Sequence, residues 1–141
     1  MRARMTKTPP LKKILFVCSD NAFRSQIAEA LARMYGGNSV EVFSAGLSPA
    51  AEVDPRAIDF MADCGYDLKA HFPKGLVDIP PDFFDAAVWL DCGSPDGTVR
   101  AGRRLHWEIG LPDSKSPEEC RAIGVWIESR VRALLTDLSQ A

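Results

Sequence analysis

The sequence has no CxxC pair and no cysteines or histidines at zinc-ligand spacing. Its four cysteines stand apart at positions 18, 64, 92 and 120, which sets aside a structural zinc site and a disulfide framework. Cysteines used this way fit a reducing, cytoplasmic setting. Histidine is scarce, and neither His71 nor His106 has a second histidine or a carboxylate at ligand spacing. Both read as structural or surface residues, and no metal is expected. No apolar stretch is long enough to cross a bilayer. The net charge of −2 offers no broad basic face for nucleic acid, leaving room only for a local basic site. Internal repeats and domain linkers are also absent. Residues 1–11 are basic but lack the apolar region and cleavage site of a secretory signal, because the next apolar run leads straight to Cys18. They read as a flexible N-terminal tail, with 12–141 as a single domain.

What is present suits one globular core: 141 residues, 46% hydrophobic and 26% charged. Lys13 to Val17 reads as a strand with the continuous apolar run Ile14 to Val17, as expected of a parallel strand buried on both faces. A helix carrying Ile27, Leu31 and Met34 on one face follows and stops at Gly36-Gly37. Val40 to Ala45 reads as a second strand. Asp54-Pro55 reads as an N-cap and first-turn proline, opening a helix with Ile58, Met61 and Ala62 inward and an end near Gly65. Prolines 73, 80 and 81 break the stretch from Leu68 to Phe84 into loops and one short helix. Ala86 to Asp91 and Arg104 to Glu108 are the third and fourth strands. Ser116 or Pro117 to Leu138 is the closing helix. Strands alternating with helices imply an α/β fold with a parallel sheet, whose ligands bind beyond the carboxyl ends of the strands.

At that edge stands Cys18, followed by five residues and then Arg24-Ser25. Backbone N–H groups of a short strand-to-helix loop, Ser19 to Arg24, can converge on a tetrahedral oxyanion. The helix N-terminus adds positive potential, and the arginine fork can hold two oxygens. Such surroundings favour the charged form of a thiol, which makes Cys18 a candidate nucleophile. Ser25 can donate a hydrogen bond to the sulfur. Asn21 tolerates the left-handed backbone that a tight anion nest can demand. Cys64 and Cys120 read as small packing residues on helices, and Trp89, Trp107 and Trp126 as core or rim.

The run ILFVCSDNAFRSQIAEALAR, from Ile14 to Arg33, resembles the opening of the low-molecular-weight protein tyrosine phosphatase superfamily, which includes the thioredoxin-type arsenate reductases. Phe43-Ser44-Ala45-Gly46, Asp54-Pro55 and Leu105-His106-Trp107 before Pro112-Asp113 extend the likeness over nearly the whole chain. The resemblance implies a three-layer sandwich with a four-stranded parallel sheet in the order 2-1-3-4. It implies Cys18, Arg24, Ser25 and the general acid Asp113 as catalytic residues. Ser19, Asp20, Asn21, Ala22 and Phe23 would form the oxyanion loop, supported by Asn21 and Ser44. It implies no bound cofactor.

Two chemistries follow from it. A reductase has Cys18 attack arsenate and a second thiol resolve the adduct, drawing electrons from thioredoxin or a small-molecule thiol. A phosphatase has Cys18 form a phosphocysteine from a phosphorylated substrate, which water then hydrolyses. Gln26 where phosphatases carry proline, the lack of tyrosines after Asp113, and Cys92 at a resolving-cysteine position all resemble the reductase branch. Cys92 reads equally as redox or structural, and Gly93 to Arg100 lacks the further cysteine of a three-thiol relay. Asp20 stands where glycine is usual. At ~8 Å from a bound dianion it would cost about 2 kcal/mol per unit-charge pair, so an outward side chain is expected. Phe23 replaces a frequent cysteine and adds an aromatic wall. Ser114 replaces the proline after the acid. These departures keep a third reading open, a catalytically weak anion-binding regulatory module.

Overall fold

The computed structural model describes residues 11–93, 99–109 and 116–140. Strands β1 (Lys12–Cys18), β2 (Val40–Gly46), β3 (Phe83–Leu90) and β4 (Arg100–Trp107) alternate with helices α1 (Arg24–Gly36), α2 (Pro55–Asp63) and α3 (Pro117–Ser139). Single 3-10 turns span Gly37–Ser39 and Leu76–Asp78. All pairings are parallel, in the order β2-β1-β3-β4. β1 lies at the centre, and Ile14 to Cys18 are fully buried. Its neighbours on either side are the second and third strands in chain order, so its carboxyl end is the topological switch where ligands bind.

Alternation along β1 divides the core. Ile14 and Phe16 face the three helices, packing with Ile27 and Leu31 of α1 and with Ile127, Val131 and Leu134 of α3. Leu15 and Val17 face the opposite side with Phe84, Ala87, Trp89 and Val99, where Leu76 and Ile79 of the second 3-10 turn form the thinner third layer. α3 begins with a capping box in which Ser116 and Glu119 exchange hydrogen bonds, and Pro117 takes the first turn.

Two sequence expectations are corrected. β4 starts four positions before Arg104 and ends at Trp107. Among the described residues it is an edge strand paired only with β3, and exposed Arg100, Arg103 and Arg104 remove the apolar run that marks a central strand. The inward residues of α2 are Ala57, Phe60 and Met61, with Ala62 exposed and Ile58 only partly buried. Phe60 fits because α3 has a glycine opposite it: a Cβ on Gly124 would lie 2.3 Å from the ring Cζ. β3 ends at Leu90, and Asp91 turns the chain in the left-handed region with φ 54°.

Candidate active site

The loop from Ser19 to Phe23 is held from outside by its carbonyls. Those of Cys18, Ser19, Asp20 and Ala22 accept the N–H groups of Leu47, Ser48, Ala50 and Asp54 at 3.0, 2.7, 2.9 and 2.9 Å. With its oxygens committed to the 47–54 segment, the loop turns N–H groups towards its concave side, beside Cys18. α1 begins at Arg24 with no side-chain cap and no acidic residue in its first turn, so its positive end stays open to an anion. Gly46 allows the close fit, since a Cβ there would lie 2.8 Å from the backbone of Asp20 and Asn21.

Cys18 Sγ is buried and lies 2.9 Å from Ser25 Oγ and 3.2 Å from the backbone N of Asn21, which donates to it. Ser25 Oγ already accepts from the Asn21 amide at 2.7 Å, so its own hydrogen is free to point at the sulfur. Asn21 has φ 54°, the left-handed conformation anticipated for it. Its Nδ2 also donates to Ser44 Oγ at 3.0 Å, and its Oδ1 accepts from Gln26 Nε2 at 3.1 Å and the Lys74 backbone N at 2.9 Å. Asn21 and Ser44 thus take part in one network with Ser25.

Behind that network lies buried Glu29. Its carboxylate accepts the Ser44 hydroxyl hydrogen and faces Arg33 at 2.6 Å, Lys74 Nζ at 3.7 Å and His71 Nδ1 at 3.9 Å. Gln26 is wholly buried; its Nε2 also donates to the carbonyls of Asn21 and Phe72, and its Oε1 pairs with His71 Nδ1 at 3.0 Å. His71 Nε2 in turn meets the Tyr66 hydroxyl at 2.8 Å. Gln26 therefore ties the loop to the 71–74 segment, which a proline at this position could not do. Burial pushes the His71 pKa down, against the pull of Glu29.

Arg24 Nε sits 3.1 Å from Asp91 Oδ2, and Asp91 Oδ1 accepts from the Ile109 N–H at 2.8 Å, which steers the guanidinium from the end of β3. Cys92 follows directly, with Sγ 3.5 Å from the carbonyl of Val17, the residue before Cys18. Burial first, and the Cys18 sulfur second, push its pKa up to about 11. Two expectations change. The Asp20 carboxylate does not point outward: its Oδ1 accepts the Ala22 N–H at 3.0 Å and lies 3.8 Å from Cys18 Sγ. Phe23 is buried in the helix-side core at 2% exposure and forms no wall at the mouth. Asp113 and Ser114 lie outside the described residues.

The profile of the low molecular weight phosphotyrosine protein phosphatases matches residues 13–141. The chain belongs to this family. It is 31% identical over 132 residues to the glutaredoxin arsenate reductase of Synechocystis, covering 92% of this chain and 100% of that protein. It is 38% identical over 129 residues to arsenate reductase 2 of Staphylococcus haemolyticus, covering 89% and 97%. A solved arsenate reductase in the phosphate-binding state superposes with TM-score 0.80 at 30% identity, covering 90% of this chain and 98% of that one.

Several residues that shape this phosphatase-family site escape a reading of the sequence. Glu29, Lys74, His71, Asp91 and the 47–54 strap carry no spacing of their own, since their partners are 15 or more positions away in most cases. One signal was present: Ser25, Gln26 and Glu29 form a polar stripe on a helix whose residues 25–32 are all buried, and buried polar side chains need partners. Among the described residues no cluster of three or more His, Cys, Asp or Glu could hold a metal, and no helix is long and apolar enough to cross a membrane.

Two outcomes follow. Gly46→Ala is expected to cost about 1–3 kcal/mol in chemical denaturation, because its neighbour is backbone that cannot rotate away. His71 has a folded pKa below its unfolded value, so the unfolded chain gains a proton first as pH falls below about 6.5. Stability is therefore expected to drop as pH falls through this window, and His71→Gln should flatten that part of a stability–pH curve.

Proposed function

We propose that the protein reduces arsenate with Cys18 as nucleophile and Cys92 as the resolving thiol. The observation that carries this reading is the Cys92 sulfur resting 3.5 Å from the Val17 carbonyl, next to the reacting cysteine. The arsenate reductases among its relatives and the reductase-like Gln26 anchor support it. Arsenate sits in the loop with its oxygens on backbone N–H groups and on the Arg24 fork, whose Nε is turned to Asp91. The Cys18 sulfur attacks arsenic, and one arsenic oxygen leaves as water after protonation, with Asp113 as the donor. Cys92 then attacks Cys18 Sγ. The S–S bond forms, the S–As bond breaks, and its electron pair stays on arsenic, which leaves as arsenite. Two thiols are oxidised by two electrons and arsenic(V) is reduced by two. An external dithiol protein of the glutaredoxin or thioredoxin kind, or a small-molecule thiol, reopens the disulfide. No disulfide joins the four cysteines, in keeping with a cytoplasmic setting.

With its pKa raised to about 11, Cys92 is a neutral thiol near pH 7. The resolving step must first remove that proton, and its rate is expected to climb roughly tenfold per pH unit above neutrality while thiolate supply limits it.

The test runs arsenite formation and hydrolysis of a small aryl phosphate side by side. Arsenite formation is expected to vanish in both Cys18→Ser and Cys92→Ser. Wild-type arsenite at the Cys18→Ser background under several reductants would sink this reading. Aryl phosphate turnover that survives Cys92→Ser, in the absence of arsenite, would place the protein with the hydrolases.

A further inference from the structure

We propose that Asp20 makes the loop select tetrahedral oxyanions that carry a hydroxyl group, and reject those that carry none. The inference deepens the arsenate reading and rests on it only for which bound anion is turned over. Its basis is the inward carboxylate. Asp20 Oδ1 accepts the Ala22 N–H at 3.0 Å and lies 3.8 Å from Cys18 Sγ, while the Asp20 carbonyl is pinned by the Ala50 N–H at 2.9 Å. An anion placed for attack by Cys18 therefore meets a carboxylate oxygen on the same side of the loop.

An ionised carboxylate has only acceptors. Set against an anion that also has only acceptors, it repels. Set against an anion with an O–H, it receives a short charge-assisted hydrogen bond, and the same contact becomes attractive. Inorganic arsenate and phosphate keep at least one hydroxyl through the neutral range. Sulfate keeps none, and a phosphomonoester loses its last one near pH 6. The other charged groups among the described residues near the cradle do not distinguish these anions. Arg24 attracts all of them, Asp91 is paired with Arg24, Cys92 is a neutral thiol, and Lys74 and Glu29 offset each other behind Ser44. Among the described residues Asp20 alone presents a carboxylate at the thiol, so it discriminates by the proton. Free arsenate is thereby favoured over phosphorylated side chains, whose dianions meet an unmatched carboxylate. Sites built to receive a substrate hydroxyl reject analogues lacking it by large factors when buried. Asp20 is partly exposed, so a smaller ratio is expected.

The experiment measures protection of Cys18 from iodoacetamide, read by peptide mapping of the full chain, with inorganic phosphate, sulfate or phenyl phosphate at matched ionic strength slightly above neutral pH. Phosphate is expected to protect at a concentration at least about tenfold below that of sulfate or phenyl phosphate. In Asp20→Asn, whose side-chain oxygen keeps the Ala22 hydrogen bond and whose amide can donate, the ratio should fall to within about twofold, chiefly through gained sulfate protection. Asp20→Ser serves as a second variant, with thermal melts confirming that both fold. Equal protection by sulfate and phosphate in the wild type, an unchanged ratio in both variants, or protection by neither anion would overturn the inference. Arsenite formation without anion selectivity would sink this inference alone. Selectivity without arsenite formation would sink only the reductase reading.

Discussion

The left-handed backbone of Asn21 is the constraint on which the rest of the site depends. A non-glycine residue held at φ 54° costs about 1–3 kcal/mol. The side chain of the same residue makes hydrogen bonds to Ser25, Ser44, Gln26 and the Lys74 backbone, each contributing about 1 kcal/mol, so the network can offset the strain. The geometry that results aims the Asn21 N–H at the Cys18 sulfur and leaves the Ser25 hydrogen for it as well. Strain and support thus sit in one residue, and the thiol's surroundings follow from both.

That network is buried, and burial sets its terms. Ser44 is tied to Glu29, a carboxylate at 2% exposure whose burial would be costly without the Arg33 and Lys74 charges beside it. Lys74 answers twice, with its ammonium towards Glu29 and its backbone N–H on Asn21. The central sheet positions these groups: β1 delivers Cys18, β2 delivers Ser44 and Gly46, and the turn after β3 delivers Asp91 and Cys92. Partial burial of Cys92 raises its pKa to about 11, so the proposed resolving thiol holds its proton more firmly than a free cysteine does.

How much of this was legible in the sequence depends on the range of the interaction. Cys18, Ser25 and Arg24 are close in the chain and lie between a buried strand and a helix, so the cradle could be read from spacing alone. The strand order came from family resemblance, because order is set by long-range packing that local pattern does not encode. The first half of β4 is hidden in the sequence because an exposed basic edge strand lacks the apolar run of its neighbours. Asp20 and Phe23 were misplaced because a side chain's direction in a loop depends on which backbone groups its neighbours have already taken. Gln26 is legible as a family mark, while its physical role as the tie between Asn21, Phe72 and His71 depends on partners that only the fold brings to it.

The central claim is that the cradled Cys18 and its neighbour Cys92 together supply the two electrons that convert arsenate to arsenite. The most direct measurement is a single turnover of reduced protein with arsenate and no external reductant, followed by intact mass and disulfide mapping. The account predicts one arsenite per chain, the loss of two hydrogens from the protein, and a disulfide joining Cys18 to Cys92. Arsenite release with all four thiols still free, or a disulfide that excludes Cys92, would contradict it.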